Sequence, residues 1–400
     1  MNHDTNIKPH NVTQLGLPPP GAAAQAHSLQ LQQVIAEEMA ENGGRTSFAR
    51  FMELALYEPG LGYYSGGSRK LGSEGDFMTA PEWSPLFSRC LARQVAQVLA
   101  SLNGGDVLEV GGGSGIMAAD LLGALLAADC LPGRYYILER SGDLRERQQA
   151  LLKNRLPQVL DRIVWLEKLP EPGFCGVVLA NELLDALPVH CFTITQAGGA
   201  ELYVERVNDQ WQWRPGVPSS SELAECIKGL QRSENLPLGY TSEINLTAQA
   251  WIGSVADILA QGMLLIIDYG FPRHEYYHPD RSRGTLMCHY RHRAHEDPFI
   301  LIGLQDITAH VDFTAMAEAA YAADLRIAGY TTQAAFLLAN GITEYMSEVD
   351  DESARLEWAQ HIKKLTLPHE MGELFKVLAL TRNFDESLRG FSLRDMRHHL

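Results

Sequence analysis

The chain has 400 residues, enough for two domains or for one large α/β domain carrying insertions. Hydrophobic residues make up 46% and charged residues 20%, so a full core can be buried. A net charge of −16 argues against a nucleic-acid partner, whose binding depends on neutralised phosphates, and the lack of an apolar run of about 18 residues argues against a membrane span.

Residues 1–28 read as a polar, disordered leader that ends in Pro18 to Pro20 and an alanine stretch. The leader has neither the charged-then-apolar pattern of a secretion signal nor the arginines of a mitochondrial presequence. The cysteines Cys90, Cys130, Cys175, Cys191, Cys226 and Cys288 make no CxxC pair, and scattered thiols suit a reducing compartment; a cytoplasmic location is expected. Residues 29–104 form an N-terminal helical segment with a loop. Leu31, Val34, Ile35 and Met39 fall at helical spacing, and a second helix over 47–57 stops at Glu58-Pro59-Gly60. A glycine-rich loop, GLGYYSGGSRKLGSEGDFMTAPEWS, leads into a helix over about 85–100.

From residue 105 the pattern changes. Short apolar runs at 106–110, 134–139, 162–167, 176–181 and 263–269 alternate with helical stretches at 115–129, 141–155 and 244–260. That alternation indicates a mostly parallel sheet covered on both faces. Insertions at about 192–240 and 271–312 interrupt it. The first opens with FTIT, ELYVERV and QWQWRP, an antiparallel hairpin over 192–214; the second is rich in His, Arg, Pro and Asp with little periodicity. Its histidines, His289, His292, His295 and His310, are irregularly spaced, so no metal site is expected. The chain returns with helices near 313–323, 333–340 and 351–364 and strands at 326–330 and 375–381, and ends in a tail at 386–400. Residues 105–385 thus form one α/β domain.

The most informative segment is DVLEVGGGSG at 106–115, a strand, a glycine turn and the start of a helix. Gly111, Gly113 and Gly115 are spaced G-x-G-x-G. Glycines there let a ligand approach the backbone closely, and the helix behind the turn offers unpaired N–H groups. A plain turn and a dinucleotide site are the alternatives. A dinucleotide fingerprint places its third glycine one residue later, and Glu109 beside the turn would repel a pyrophosphate. Glu109 suits a ligand with a cationic amino group and no phosphate, and S-adenosylmethionine is such a ligand. Glu139, ending the second strand, is positioned to accept hydrogen bonds from ribose hydroxyls. The fourth strand ends in Asn181-Glu182-Leu183-Leu184-Asp185, beside the switch in strand order where ligands bind in open α/β sheets. The fifth ends similarly, in Asp268-Tyr269-Gly270.

The sequence resembles the MidA-like family of S-adenosylmethionine-dependent methyltransferases, whose mitochondrial members assist assembly of respiratory complex I. The resemblance rests on YYSGGSRKLGSEGDFMTAPEWSPLF (63–87), LEVGGGSG (108–115), ANELLDALPVH (180–190), LLIIDYG (264–270), RSRGTLMCHYRHR (281–293) to DITAHVDF (306–313), and MGELFKVLALTR (371–382). It implies the class I, Rossmann-like methyltransferase fold, a seven-stranded, mostly parallel sheet with an antiparallel last strand. Gly112, where relatives often carry proline or alanine, is a departure not expected to harm binding. The resemblance also implies that the GDFMTAPE loop helps close the cofactor site. Asp76 and Thr79 are then polar contacts to the cofactor, Phe77 an apolar cover, and Gly72 and Gly75 hinges.

Cofactor binding is therefore expected from Glu109, Gly111, Gly113, Gly115, Glu139, Asn181, Asp76, Phe77 and Thr79. Glu182, Asp185 and Asp76, with Glu82 nearby, are the candidate catalytic groups, since carboxylates bind a planar guanidinium bidentately. A protein acceptor, through an arginine as the resemblance implies, is expected. A small-molecule methyltransferase and a non-catalytic, cofactor-binding assembly factor remain the alternatives.

Overall fold

The computed structural model describes residues 12, 15–66 and 78–400, which fall into two compact units. The larger comprises Met78–Asp185, Ala248–Arg273 and Val311–Leu400. Its sheet contains β1 (Asp106–Val110), β2 (Tyr135–Leu138), β3 (Ile163–Leu166), β4 (Phe174–Asn181), β5 (Leu259–Phe271), β6 (Val311–Asp312), β7 (Arg326–Thr332) and β8 (Phe375–Arg382). The order is β7-β8-β5-β4-β1-β2-β3, with β6 paired to β5. β1 to β5 run parallel to one another, and β8 lies antiparallel to both β5 and β7.

The sequence predicts seven strands and the sheet has eight. The difference is β6, two residues that pair with Gly270 and Phe271 where β5 runs past the other strands. A strand that short carries no periodicity to read. The central strands are continuous apolar runs because both of their faces are covered: Val177, Val178, Leu179 and Ala180 are all buried. One face packs through Val107, Val177 and Leu265 onto Leu91 and Val95 of the helix Pro85–Ser101 and Leu121 of the helix Ile116–Ala127. Burying such a side chain is worth about 1.5–3 kcal/mol relative to exposure. Ser84 and Ser141 cap their helices by accepting the backbone N–H of Leu86 and Leu144.

The smaller unit gathers the described residues up to 66 with Ala186–Thr247 and His274–His310. The hairpin expected over 192–214 is three strands, His190–Thr195, Gly198–Val207 and Gln210–Gly216, of a five-stranded antiparallel sheet completed by Arg45–Ser47 and Thr241–Ile244. The stretch 271–312, without a regular pattern in sequence, supplies a three-stranded sheet of Met287–Tyr290, Arg293–His295 and Asp306–Thr308. Glu243 is buried and accepts hydrogen bonds from the Thr285 backbone N–H and hydroxyl, which fastens the RSRGTLM segment to the larger of these sheets. The first helix starts at Ala22 rather than Leu29, because alanines extend it backwards. Among the described residues no helix is long and apolar enough to cross a membrane.

Candidate active site

From β1 the chain builds β2 and β3 on one side of the sheet, then returns to build β4 and β5 on the other. The carboxyl ends of β1 and β4 therefore border the switch point where open α/β sheets bind ligands. The β1 turn is glycine for a conformational reason. Gly111, Gly113 and Gly115 have φ of +74°, +53° and +85°, values that strain any residue with a Cβ. Gly115 caps the helix Ile116–Ala127, whose first N–H groups have no partner within the helix. Gly112 also sits in a tight place. A Cβ there would lie 2.8 Å from Ile137 Cγ2, so alanine at this position requires a shift of its neighbours.

Glu109 is buried beneath this turn and accepts a hydrogen bond from Tyr135 Oη at 2.7 Å. Burial pushes its carboxyl up to about 7, opposed by the Tyr135 bond and reinforced by the charge of Glu139. Glu139 follows the end of β2. Its Oε1 accepts the Ser141 N–H at 2.9 Å and its Oε2 accepts from Gln148 Nε2 at 3.2 Å. Burial raises the Glu139 pKa, and these hydrogen bonds counter the rise.

The described part of the 72–82 loop starts at Met78. Asp76, Phe77, Gly72 and Gly75 lie outside the described residues. Thr79 is half-buried and precedes the short helix Ala80–Trp83. That helix ties two loops together. Glu82 Oε1 accepts from the Ser114 hydroxyl in the glycine turn, and the Ala80 N–H donates to Glu182 Oε1 at 3.4 Å.

Beyond β4 the carboxylates crowd. Asn181 Nδ2 donates to Glu182 Oε1 at 3.3 Å, while Asn181 Oδ1 is buried with no hydrogen-bond partner among the described residues. Glu182 has φ +48°, and its N–H donates to Ile267 O at 2.9 Å. Asp268, at the end of β5, accepts the N–H groups of Leu184 at 2.9 Å and Asp185 at 3.3 Å through Oδ2, and that of Tyr269 at 2.9 Å through Oδ1. The phenol of Tyr269 donates to Asp185 Oδ2. Burial, then the charges of Asp185 and Glu182, drive the Asp268 pKa well above its ordinary value.

The structure thus brings Asn181 and Glu182 together, and sets Asp185 beside Asp268. It places Gly111, Gly113, Gly115, Glu109 and Glu139 around the β1 turn. Sequence reasoning missed Gln148, which reaches that turn from a helix, and Trp165, which reaches Gln148 from β3, and gave no role to Asp268 and Tyr269. The only trace of Gln148 is its position four residues before Leu152, on the buried side of the helix Gly142–Arg155.

A profile of the family described as "Putative S-adenosyl-L-methionine-dependent methyltransferase" matches residues 90–331. The chain belongs to this family. It is the MidA-like family to which the motifs point. This methyltransferase is 28% identical over 372 residues to the Danio rerio "Protein arginine methyltransferase NDUFAF7, mitochondrial", covering 84% of this chain and 83% of the relative. Identity to the Mus musculus protein of the same name is also 28%, covering 84% and 81%. Among solved structures, a COG1565 superfamily member from Burkholderia thailandensis bound to S-adenosyl-homocysteine is 44% identical, with a TM-score of 0.92 over 96% of this chain and 100% of that one.

The cofactor of this methyltransferase is S-adenosylmethionine. The residues fit it. The glycine turn leaves room for close approach, Glu139 offers hydroxyl-accepting oxygens, and the buried Asn181 Oδ1 is an acceptor for an amino group.

Proposed function

We propose that this methyltransferase methylates a protein, and that the acceptor is an arginine side chain. The observation that carries this reading is the set of carboxylates after β4 and β5, with Asp185 held by the Tyr269 phenol and by the turn that Asp268 anchors. The names of the curated relatives support it.

Bound S-adenosylmethionine supplies a methyl group on a positively charged sulfur. Glu139 would accept hydrogen bonds from the ribose hydroxyls, Asn181 Oδ1 would accept from the amino group, and the N–H groups after Gly115 would face the ligand. Glu109 stiffens the floor of the turn through Tyr135. From the covering loop, Thr79 contacts the cofactor. Glu182 and Asp185 grip the guanidinium, orient one terminal nitrogen and draw positive charge away from it, which leaves its electron pair available for in-line attack. Tyr269 fixes the Asp185 carboxylate. The proton released by the methylated nitrogen passes to Glu182.

The test is incubation of cell extract with labelled S-adenosylmethionine and either the wild-type protein or Asp185→Asn. Label in protein as methylarginine, reduced by about tenfold or more with the variant, supports the reading. Label confined to small molecules, or to another side chain, sinks it.

A further inference from the structure

Gln148 has no solvent exposure, so its amide must find its partners inside the protein. Nε2 donates to Gly113 O at 2.9 Å and to Glu139 Oε2 at 3.2 Å, and Oε1 accepts from Trp165 Nε1 at 3.0 Å. The orientation of the amide is forced. Turning it over would set Oε1 against two acceptors and Nε2 against an indole donor. The same side chain fills space that Cβ atoms at Gly112 and Gly115 would need, each coming within 3.1 Å of it. One residue therefore touches the glycine turn, the carboxylate after β2 and the indole on β3.

We propose that Gln148 is the positioning residue that makes cofactor binding depend on both ribose hydroxyls. This rests on the reading that the site holds S-adenosylmethionine with Glu139 at the ribose. A carboxylate anchored at one oxygen can swing about its last torsion, which is broad. Glu139 is anchored at both, by the Ser141 N–H on Oε1 and by Gln148 on Oε2. Each oxygen keeps lone-pair capacity for a second donor, and the vicinal 2′- and 3′-hydroxyls of a ribonucleoside supply two donors at matching spacing. Without Gln148 the two-point grip fails, while contacts to the base and to the amino-acid end, made by other groups, persist. The ligand class selected in this way is a nucleoside with both hydroxyls free.

The experiment is calorimetric titration of the full chain with S-adenosyl-homocysteine and with its 2′,3′-dideoxy analogue. The proteins are wild type, Gln148→Met and Trp165→Phe. Wild type should prefer the hydroxylated ligand by about tenfold or more, the scale of hydrogen bonds to a charged group. Gln148→Met should lose about tenfold for that ligand and less than about twofold for the dideoxy analogue. Trp165→Phe removes the indole donor together with part of the ring and should move the same ratio by about threefold; it carries the test alone if Gln148→Met does not fold. Equal losses for both ligands would make Gln148 a support of the turn only and overturn the inference, as would no change in either. Wild type binding both ligands equally well would overturn the inference and leave the cofactor reading standing. Wild type binding neither would overturn the cofactor reading itself.

Discussion

The two ends of the site handle buried charge in opposite ways. At the β1–β2 end, Glu109 and Glu139 each rest on neutral donors: a phenol for one, an amide and a backbone N–H for the other. There the left-handed backbone is left to glycines. At the β4–β5 end, Glu182 and Asp185 lie in the turn after β4, their charges raise the cost of ionising Asp268 at the end of β5, and a non-glycine residue carries the left-handed backbone. The first arrangement secures shape, as a ligand that must approach the backbone requires. The second concentrates negative charge at a cost in stability, which is worthwhile where a cation must be bound.

Breaking the shape of the first end should have the largest effect. Gly115→Val adds a β-branched side chain at φ +85° and drives its Cβ to 3.1 Å from Gln148. S-adenosyl-homocysteine affinity should fall by about a hundredfold or more, since strain of about 1–3 kcal/mol is added to the lost approach. Calorimetry beside circular dichroism checks this; a folded variant with unchanged affinity would mean that the turn does not meet the cofactor. The next effect belongs to the second end. Asp185→Asn and Tyr269→Phe should each lower the methylation rate by about tenfold to a hundredfold through lost charge-assisted hydrogen bonds, with S-adenosyl-homocysteine affinity within about twofold. Loss of affinity in step with rate would move these residues to the cofactor side of the comparison.

A third measurement reads the buried charge of the first end directly. The Glu109 carboxyl sits at about 7 in the folded protein against an ordinary 4.5, because burial disfavours its anion. The folded state therefore binds more protons than the unfolded state between those values, and stability declines as pH rises from about 4.5 to about 7. The isosteric Glu109→Gln keeps an acceptor for the Tyr135 phenol and cannot ionise. Denaturant unfolding without ligand should show the variant gaining about 2 kcal/mol on wild type between pH 5 and pH 8. A difference that does not change with pH would mean that Glu109 is already charged across this range.

The two ends were not equally legible. β1 is found residue for residue in the sequence, and β4, β5 and β8 within a few residues, because strands buried on both faces are continuous apolar runs. The short strands Arg45–Ser47 and Thr241–Ile244, RTS and TSEI, have no apolar run and carry too little pattern to find. The helix Ser221–Ser233 did leave a signal, Leu223, Ile227 and Leu230 at helical spacing behind a Ser220 cap, inside a stretch read only as an insertion. Glu139, Asn181, Glu182 and Asp185 could be picked out because strand ends place them. Gln148 could not: an interior helical glutamine looks ordinary until the fold brings Gly113, Glu139 and Trp165 to it from three other elements. Tyr135 was read only as part of an apolar strand, and its hydroxyl gains meaning from Glu109 on the adjacent strand.

The smallest effect tests whether the backbone at the second end is truly strained for function. Glu182 has φ +48°, a conformation that costs a residue with a Cβ about 1 kcal/mol and glycine nothing. Glu182→Ala and Glu182→Gly both delete the carboxylate, together with its bonds to the Ala80 N–H and Asn181 Nδ2. They differ in the φ penalty, which only alanine keeps, and in the larger entropy that glycine loses on folding. At an ordinary helical or extended φ the alanine variant would be the more stable of the two. Here the glycine variant should equal it or exceed it by up to about 1 kcal/mol in denaturant unfolding, while both methylate at about a tenth of the wild-type rate or less. An alanine variant clearly more stable than glycine would show that the turn relaxes once the carboxylate is gone, so that the side chain's bonds hold the backbone there. A glycine variant with wild-type activity would remove Glu182 from the acceptor site and leave Asp185 and Tyr269 to carry it.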